Sequence, residues 1–365
     1  MKSLTVGTSF ELKDKKDLST QFTDIKLFTD IHGVISGSWL VDRSGATQLP
    51  FRTTLGQNYL LPDFETINNL TLEECCVNRA RKLLSSNQTL YFLYSGGIDS
   101  TLGLISFINA TPNTSQIIVV CNNESIRENP NFYHNYIKLN FKLMATELFM
   151  QRIKTQILDG IVISCEHGDL LYGQDFGSVA LTWFGEEYLK APPTRENILK
   201  FFKAGKMSTL GANCWFDLFS SNIHLSARPI NTVYDFFWWT GFNWRWQWAG
   251  EKIKLRTAMP INVETFFSSL EFQKWSVNHT QHSIKKASDF KYDYKEIIFN
   301  FTKDQEYQDL KIKHVSTSLY YLTNAFVAVE SDGTKLTKKD YALINYYQPD
   351  NFISNWLKDN HSSSE

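Results

Sequence analysis

Tyr94-Ser95-Gly96-Gly97-Ile98-Asp99-Ser100 is the stretch on which the reading of this chain turns. Before it, Tyr91, Phe92 and Leu93 form an apolar run of strand length, and after it Thr101 to Asn109 reads as a helix. Two adjacent glycines let a backbone pass close to an anion and turn its N–H groups inward. Ser95, Ser100 and Thr101 add hydroxyl donors at the positive end of the helix, where phosphate is favoured. The arrangement suits a pyrophosphate. A ligand-free β-to-α turn would account for one glycine and for Asp99 as a helix cap, and it leaves the rest of the string unexplained.

The Walker loop is a different phosphate device, with a Lys after its last Gly, and it does not fit here. Gly205-Lys206 is followed by Met207 and has no Gly five residues before it. Residues 94–100 instead resemble the SGGxDS loop of the N-type ATP pyrophosphatases, or PP-loop superfamily. This group includes asparagine, NAD, GMP and argininosuccinate synthetases, tRNA-lysidine synthases and deazaguanine nitrile synthases. Its members cleave ATP to AMP and pyrophosphate and activate a substrate as an adenylate.

A second motif selects among these families. Ile161 to Ile163 reads as a strand that runs into Ser164-Cys165-Glu166-His167-Gly168-Asp169-Leu170-Leu171-Tyr172-Gly173. Read alone, this is a strand-end turn. It is similar to the SGEGxDELFGG turn of asparagine synthetases and β-lactam synthetases. Ser164, Glu166, Asp169 and Gly173 fall on identical positions, and Tyr172 stands where an aromatic is expected. Cys165 and His167 replace glycines, Leu170 replaces the second acid, and Gln174 replaces the last Gly. These departures bear on the substrate side of the pocket more than on the ATP side.

The resemblance, which spans about residues 67–316, implies the fold and the site. The fold is α/β, a parallel-sheet adenine nucleotide α-hydrolase-like domain with a helical, aromatic-rich C-terminal part. Tyr94, Ser95, Gly96, Gly97, Asp99, Ser100, Val120, Cys165 and Asp169 would hold ATP, and Asp99 and Asp169 would coordinate Mg²⁺. Glu166 would bind and deprotonate the nucleophile. Tyr234-Asp235 resembles a Tyr-Asp pair before the substrate-side acid region, which makes Asp235 a candidate. The segment Tyr294-Lys295-Glu296-Ile297-Ile298, followed by Tyr307 and Lys311-Ile312-Lys313, looks like a helix preceding an R-x-K pair. Lys313 would then bind the leaving pyrophosphate, with Lys311 in the Arg place; the other reading is a solvated basic patch.

The activity implied is ATP-dependent C–N ligation. A small-molecule carboxylate is adenylated and passed to ammonia or an amine. The same chemistry on a nucleobase or peptide acceptor, and a non-catalytic ATP- or AMP-binding protein, remain open alternatives. Asparagine synthetases carry an N-terminal glutaminase whose nucleophile is the cysteine exposed on removal of Met1. Here residue two is Lys2, and residues 1–66 are too few for that domain. The chain is therefore expected not to make its own ammonia, and a separate glutaminase is a candidate partner.

Composition agrees with an enzyme domain. Hydrophobic residues make up 42% and aromatics 15%, enough for a large core. A formal net charge of −1 argues against broad polyanion binding while leaving a local basic groove, and so nucleic acid, open. Cys75, Cys76, Cys121, Cys165 and Cys214 contain no C-x-x-C pair, which argues against disulfides and a structural zinc. Met1 to Lys16 is too polar for a signal peptide, and a cytoplasmic location is expected. Phe236 to Trp248 is the most apolar stretch, but Asn243, Arg245 and Gln247 interrupt it and it falls short of the ~20 residues of a membrane span.

Residues 1–66 read as a small β-rich module, with a hairpin from Val34–Val41 through Asp42-Arg43-Ser44-Gly45 to Ala46–Phe51, and residues 67–365 as the synthetase-like domain. Thr71 and Glu74 are spaced as a capping box before a helix. Strands at Tyr91–Leu93, Ile117–Val120 and Ile161–Ile163 alternate with helices, which predicts a parallel sheet with ligands at the carboxyl ends of its strands. A long helix is expected from about Phe132 to Ile157, burying Ile137, Phe141, Met144 and Leu148.

In the enzymes that the chain resembles, the end of the second strand lines the adenine site, which makes Val119 and Val120 candidates for base contact. Glu124, Arg127 and Glu128, on the segment Cys121–Pro130, either face substrate or lie in a solvated loop. Trp238, Trp239, Trp244, Trp246 and Trp248 are half of the ten tryptophans. They read as core packing or, with Arg245, as a stacking platform for a flat substrate or single-stranded nucleic acid. Near the end, Asp332-Gly333 marks a hairpin.

Overall fold

The computed structural model describes residues 4–8, 41–46, 56–64, 70–155, 159–204, 209–257, 261–279, 289–311, 326–330 and 335–337. Its strands are β1 (Leu4–Thr8), β2 (Leu90–Leu93), β3 (Ile117–Cys121), β4 (Lys142–Ala145), β5 (Ile161–Ser164), β6 (Val263–Thr265), β7 (Phe326–Glu330) and β8 (Lys335–Thr337). The chain divides into two compact units. One comprises Pro62–Tyr172, Ala249–His314 and Gln348–Glu365, and the other Met1–Leu61, Gly173–Trp248 and Val315–Tyr347. This division interleaves segments from along the chain, whereas the sequence reading draws a single boundary at residue 66.

The first unit is built on a 5-stranded sheet in the order β4-β3-β2-β5-β6, with every pairing parallel. β2 lies at the centre, so the uninterrupted apolar run Leu90-Tyr91-Phe92-Leu93 is explained by burial of both sheet faces. Phe92 is opposite Val119 on one side and Ile163 on the other. On one face, Tyr91, Val120 and Val162 pack with Met144, Phe149 and Ile153. The helix Leu72–Leu84 has the expected capping box between Thr71 and Glu74. Its buried Arg79 donates to the carbonyls of Thr265 and Phe266 and pairs with Glu264, holding the end of edge strand β6.

Strand order carries the functional consequence. The chain moves from β2 to β3 to β4 on one side of the sheet and from β5 to β6 on the other. The loops that follow β2 and β5 therefore leave the same carboxyl edge on either side of the point where the winding reverses, the place where α/β sheets bind ligands. Residues 94–97 and 165–169 are those two loops.

The expected helix from Phe132 to Ile157 is not formed. The segment instead contains a short turn at Pro130–Phe132, a π-helix at Tyr133–Ile137, strand β4, and a helix at Thr146–Thr155. Ile137, Phe141 and Met144 are buried, but Leu148 is 43% exposed and Phe149 and Ile153 take its place in the core. Parallel pairing of β4 with β3, from Ile118↔Lys142 to Cys121↔Ala145, outweighed the helical spacing. β4 is an edge strand of only 4 residues, Lys-Leu-Met-Ala, three of them exposed, and so lacks the apolar run of its neighbours.

The second unit is helical and rich in aromatic residues, with a 3-stranded sheet in the order β1-β7-β8 and both pairings antiparallel. β7 and β8 bracket the expected hairpin; Asp332-Gly333 lies outside the described residues. Residues 34–40 and 47–51 of the N-terminal hairpin also lie outside them, while the Asp42–Gly45 turn is present, closed by Gly45 N–H on the Asp42 carbonyl at 3.1 Å. Trp238, Trp239, Trp244 and Trp246 are at most 1% exposed, and Arg245 is buried beside them. Trp239 donates its indole N–H to Asn222, and the Arg228 guanidinium lies 3.8 Å from the Trp238 ring centroid. These four tryptophans are core, so they provide no open stacking platform. No described helix is long and apolar enough to cross a membrane.

Candidate functional site

The loop after β2 is closed by its own hydroxyls. The Ser95 N–H donates to Ser100 Oγ at 3.3 Å, the two serine hydroxyls lie 3.1 Å apart, and Ser100 Oγ reaches the Gly97 carbonyl at 3.1 Å. The Gly97 N–H donates to Ser95 Oγ at 3.3 Å. Gly97 is the N-cap of the Ile98–Ala110 helix, so the loop sits at the positive end of 13 helical residues. Asp99 lies in the first turn of that helix and points to the second loop. A Cβ on Gly168 would fall 2.6 Å from Asp99 Cγ and 2.7 Å from its Oδ1, so the carboxylate rests against bare backbone.

Asp169 is the next residue, and the two carboxylates share one cation. Lys291 Nζ donates to both oxygens of Asp99, at 2.6 Å to Oδ2, and to Oδ1 of Asp169. The lysine side chain is 1% exposed, the aspartates 19% and 22%. Lys291 has φ +56 and is the N-cap of the Tyr292–Thr302 helix. A left-handed non-Gly residue costs about 1–2 kcal/mol, and a cation at a helix N-terminus opposes the helix dipole. The two carboxylates are what hold it there. Tyr294, one turn on, is fully buried, stacked on Phe267 with centroids 5.1 Å apart. Burial, reinforced by the charges of Asp99 and Asp169, drives its phenol well above the ordinary value.

Beside this centre, Asp293 Oδ2 accepts from the Tyr172 hydroxyl at 3.3 Å and pairs with His279 Nε2 at 3.1 Å. Burial would raise the Asp293 carboxyl; the hydrogen bond and charge of His279, its own backbone N–H and Tyr172 outweigh it and hold the pKa below the usual range. The His279 ring is stacked on Trp275, with centroids 4.4 Å apart.

The remaining expected residues fall in several places. Tyr94 is buried, its ring 6.3 Å from that of Phe132, and burial drives its phenol up. Val120 is 2% exposed and its side chain belongs to the core cluster on β2–β5. Cys165 approaches the Ile98–Ala110 helix, its Sγ 3.3 Å from where a Cβ on Gly103 would stand; burial, then the charges of Asp99 and Glu166, raises its thiol well above normal. Glu166 follows it, half-buried, in the turn closed by the Gly168 N–H on the Cys165 carbonyl at 3.0 Å.

Lys311 is 3% exposed and pairs with Glu128, also donating to the Glu128 carbonyl at 3.1 Å. Burial lowers its pKa, against the opposing charge and hydrogen bond of Glu128. Lys313 lies outside the described residues. Asp235 belongs to the other unit. It completes the capping box of the Val233–Trp239 helix with Thr232 and pairs with Arg228 at 2.9 Å, which accounts for its burial as a helix-end residue.

Asp99 and Asp169 share the ammonium of Lys291, a residue that the sequence reading did not name. Its only local signal is a lysine among aromatics, Phe290-Lys291-Tyr292-Asp293-Tyr294, just before a helix, and no spacing rule links it to residue 99. The donor chemistry suits Mg²⁺, which takes one or two carboxylates and completes its shell with phosphate oxygens and water. Asp99 and Asp169 converge on one cation position. No group of three or more His, Cys, Asp and Glu that could hold a metal ion gathers among the described residues.

Gly168→Ala is expected to cost about 1–3 kcal/mol, because Lys291 pins the carboxylate that the new methyl group must displace. Chemical denaturation measures this, and unchanged stability would mean that Asp99 moves aside freely.

No protein-family model matches this chain, and no curated protein does.

Proposed function

We propose that this chain is an ATP-dependent ligase of the PP-loop kind, related to asparagine synthetases, that adenylates a substrate carboxylate and transfers the acyl group to ammonia or an amine. The observation that carries the reading is the convergence of Asp99 and Asp169, from two separate motifs, on one cation at the carboxyl edge between β2 and β5. The all-parallel sheet and the hydroxyl-closed Gly-Gly loop support it.

In this reading, the backbone and hydroxyls of Ser95 to Ser100 hold the β- and γ-phosphates at the helix N-terminus. Asp99 and Asp169 would hold Mg²⁺, which would neutralise phosphate charge and polarise the group under attack. Lys291 passes from the carboxylates to phosphate oxygens as these arrive, since an ammonium on a flexible stem can follow a polyanion. A substrate carboxylate oxygen attacks the α-phosphorus, and the bond to the β-phosphate oxygen breaks. Pyrophosphate leaves and an acyl-adenylate remains. The amine nitrogen then attacks the acyl carbon, Glu166 takes its proton, and the acyl–oxygen bond to AMP breaks. Lys313 is the candidate to accompany pyrophosphate out.

The test is product identity. Purified protein with Mg·ATP, ammonium and a panel of carboxylic acids is expected to yield AMP and pyrophosphate, resolved by ³¹P NMR. ADP and phosphate as products would overturn the reading.

A further inference from the structure

The glycine at the heart of the phosphate loop is packed from behind. Gly96 has φ +77 and is buried, and a Cβ there would lie 2.3 Å from the Ser125 carbonyl oxygen and 2.4 Å from Glu128 Cβ. Both contacts come from the short helix Asn123–Glu128 that leaves β3. Its start is fixed by a capping box between Asn122 and Ser125, in which the Ser125 N–H meets Asn122 Oδ1 at 2.8 Å and the Asn122 N–H meets Ser125 Oγ at 2.9 Å. At its end, Glu128 is held by Lys311 through both its backbone carbonyl and its carboxylate. The next residue, Asn129, donates to Thr101 Oγ1 at 3.4 Å, at the start of the loop's own helix.

Lys311 ends the Gln305–Leu310 helix, distant in sequence from both loops, and its ammonium is enclosed by protein. We infer that Lys311 is a positioning residue that acts through Glu128, clamping the Asn123–Glu128 helix against Gly96 and so setting the backbone of the phosphate loop. This rests on the nucleotide reading proposed above. It assigns Lys311 a role other than the phosphate contact suggested by its place in the Lys311-Ile312-Lys313 pair. Here the ammonium serves a carbonyl and a carboxylate, and its own burial makes those bonds costly to break.

A double-mutant cycle separates the two roles. Lys311→Met keeps stem length without the charge, and Glu128→Gln keeps shape without the ion pair. Each single variant of the full chain is expected to bind Mg·ATP about tenfold more weakly, the equivalent of one charge-assisted hydrogen bond, while AMP affinity stays within about twofold. The double variant should be no weaker than either single, because both break one contact. Additive losses would show that Lys311 contacts the phosphates directly, and equal losses for ATP and AMP would show a general defect; either overturns the inference.

Amide hydrogen exchange of the nucleotide-free protein decides the matter independently of ATP. Faster exchange at residues 95–97 in both single variants, with β2 protected as in the parent, is expected. Unchanged loop exchange overturns the clamp. Failure of the parent chain to bind ATP, with the loop still loosened, would overturn the nucleotide reading and leave the clamp standing.

Discussion

Under the proposed function, Asp99→Ala is expected to lower pyrophosphate release from ATP by about 10²–10³-fold or more while the chain stays folded. The carboxylate stands at the first turn of the loop helix, against Gly168 and opposite Asp169. Without it, the triphosphate of the proposed reading would meet the loop with one of the two carboxylates proposed to hold the metal gone, and an alanine methyl group supplies no replacement. Stability should fall less than activity. Removing one partner of a buried ion pair costs about 3–5 kcal/mol when the other is left alone. Lys291 keeps Asp169, and Asp99 is 19% exposed, so the cost should lie below that range.

Lys291→Met gives the contrasting outcome. It leaves two carboxylates facing each other with no cation, and its loss of stability should exceed that of Asp99→Ala, as urea titration of the two variants would show. Undiminished pyrophosphate release by Asp99→Ala would remove this residue from the nucleotide site.

Glu166→Gln is expected to separate the two proposed half-reactions. The substitution preserves shape in a half-buried turn whose closure is backbone, from the Gly168 N–H to the Cys165 carbonyl, so the loop should keep its form. It removes the carboxylate proposed to accept the proton. ATP–pyrophosphate exchange, which reports adenylate formation, should survive within a few-fold, whereas amide formation falls by about 10²–10⁴-fold, the range for loss of a general base. Equal loss of both would place Glu166 in ATP binding, and full retention of both would make it a bystander.

The parallel sheet was legible from its central strands because Leu90–Leu93, Ile117–Val120 and Ile161–Ile163 are largely buried on both faces and are apolar. β4 was not legible. Its Leu143 is 41% exposed, and Phe141 and Met144 satisfy a helical stripe as well as they do the end of an edge strand. Only pairing with β3 discriminates between the two. The tryptophans between Trp238 and Trp246 could be read two ways for a similar reason, since Trp suits a core and a stacking surface equally. Their burial is a property of the neighbours that surround them.

By itself the sequence determined the two loops at the carboxyl edge of the sheet, because a Gly-Gly turn between a strand and a helix and an acidic turn after the next central strand are local patterns that need only a few consecutive residues. Tertiary structure decided which distant groups complete them. Lys291 lies on Asp99 and Asp169, and Lys311 on Glu128 behind Gly96, only because the helices Tyr292–Thr302 and Gln305–Leu310 return to the sheet edge. A buried ammonium is stable only where carboxylates and carbonyls surround it. That condition is met by parts of the chain far apart in sequence, and only the folded arrangement brings them within reach.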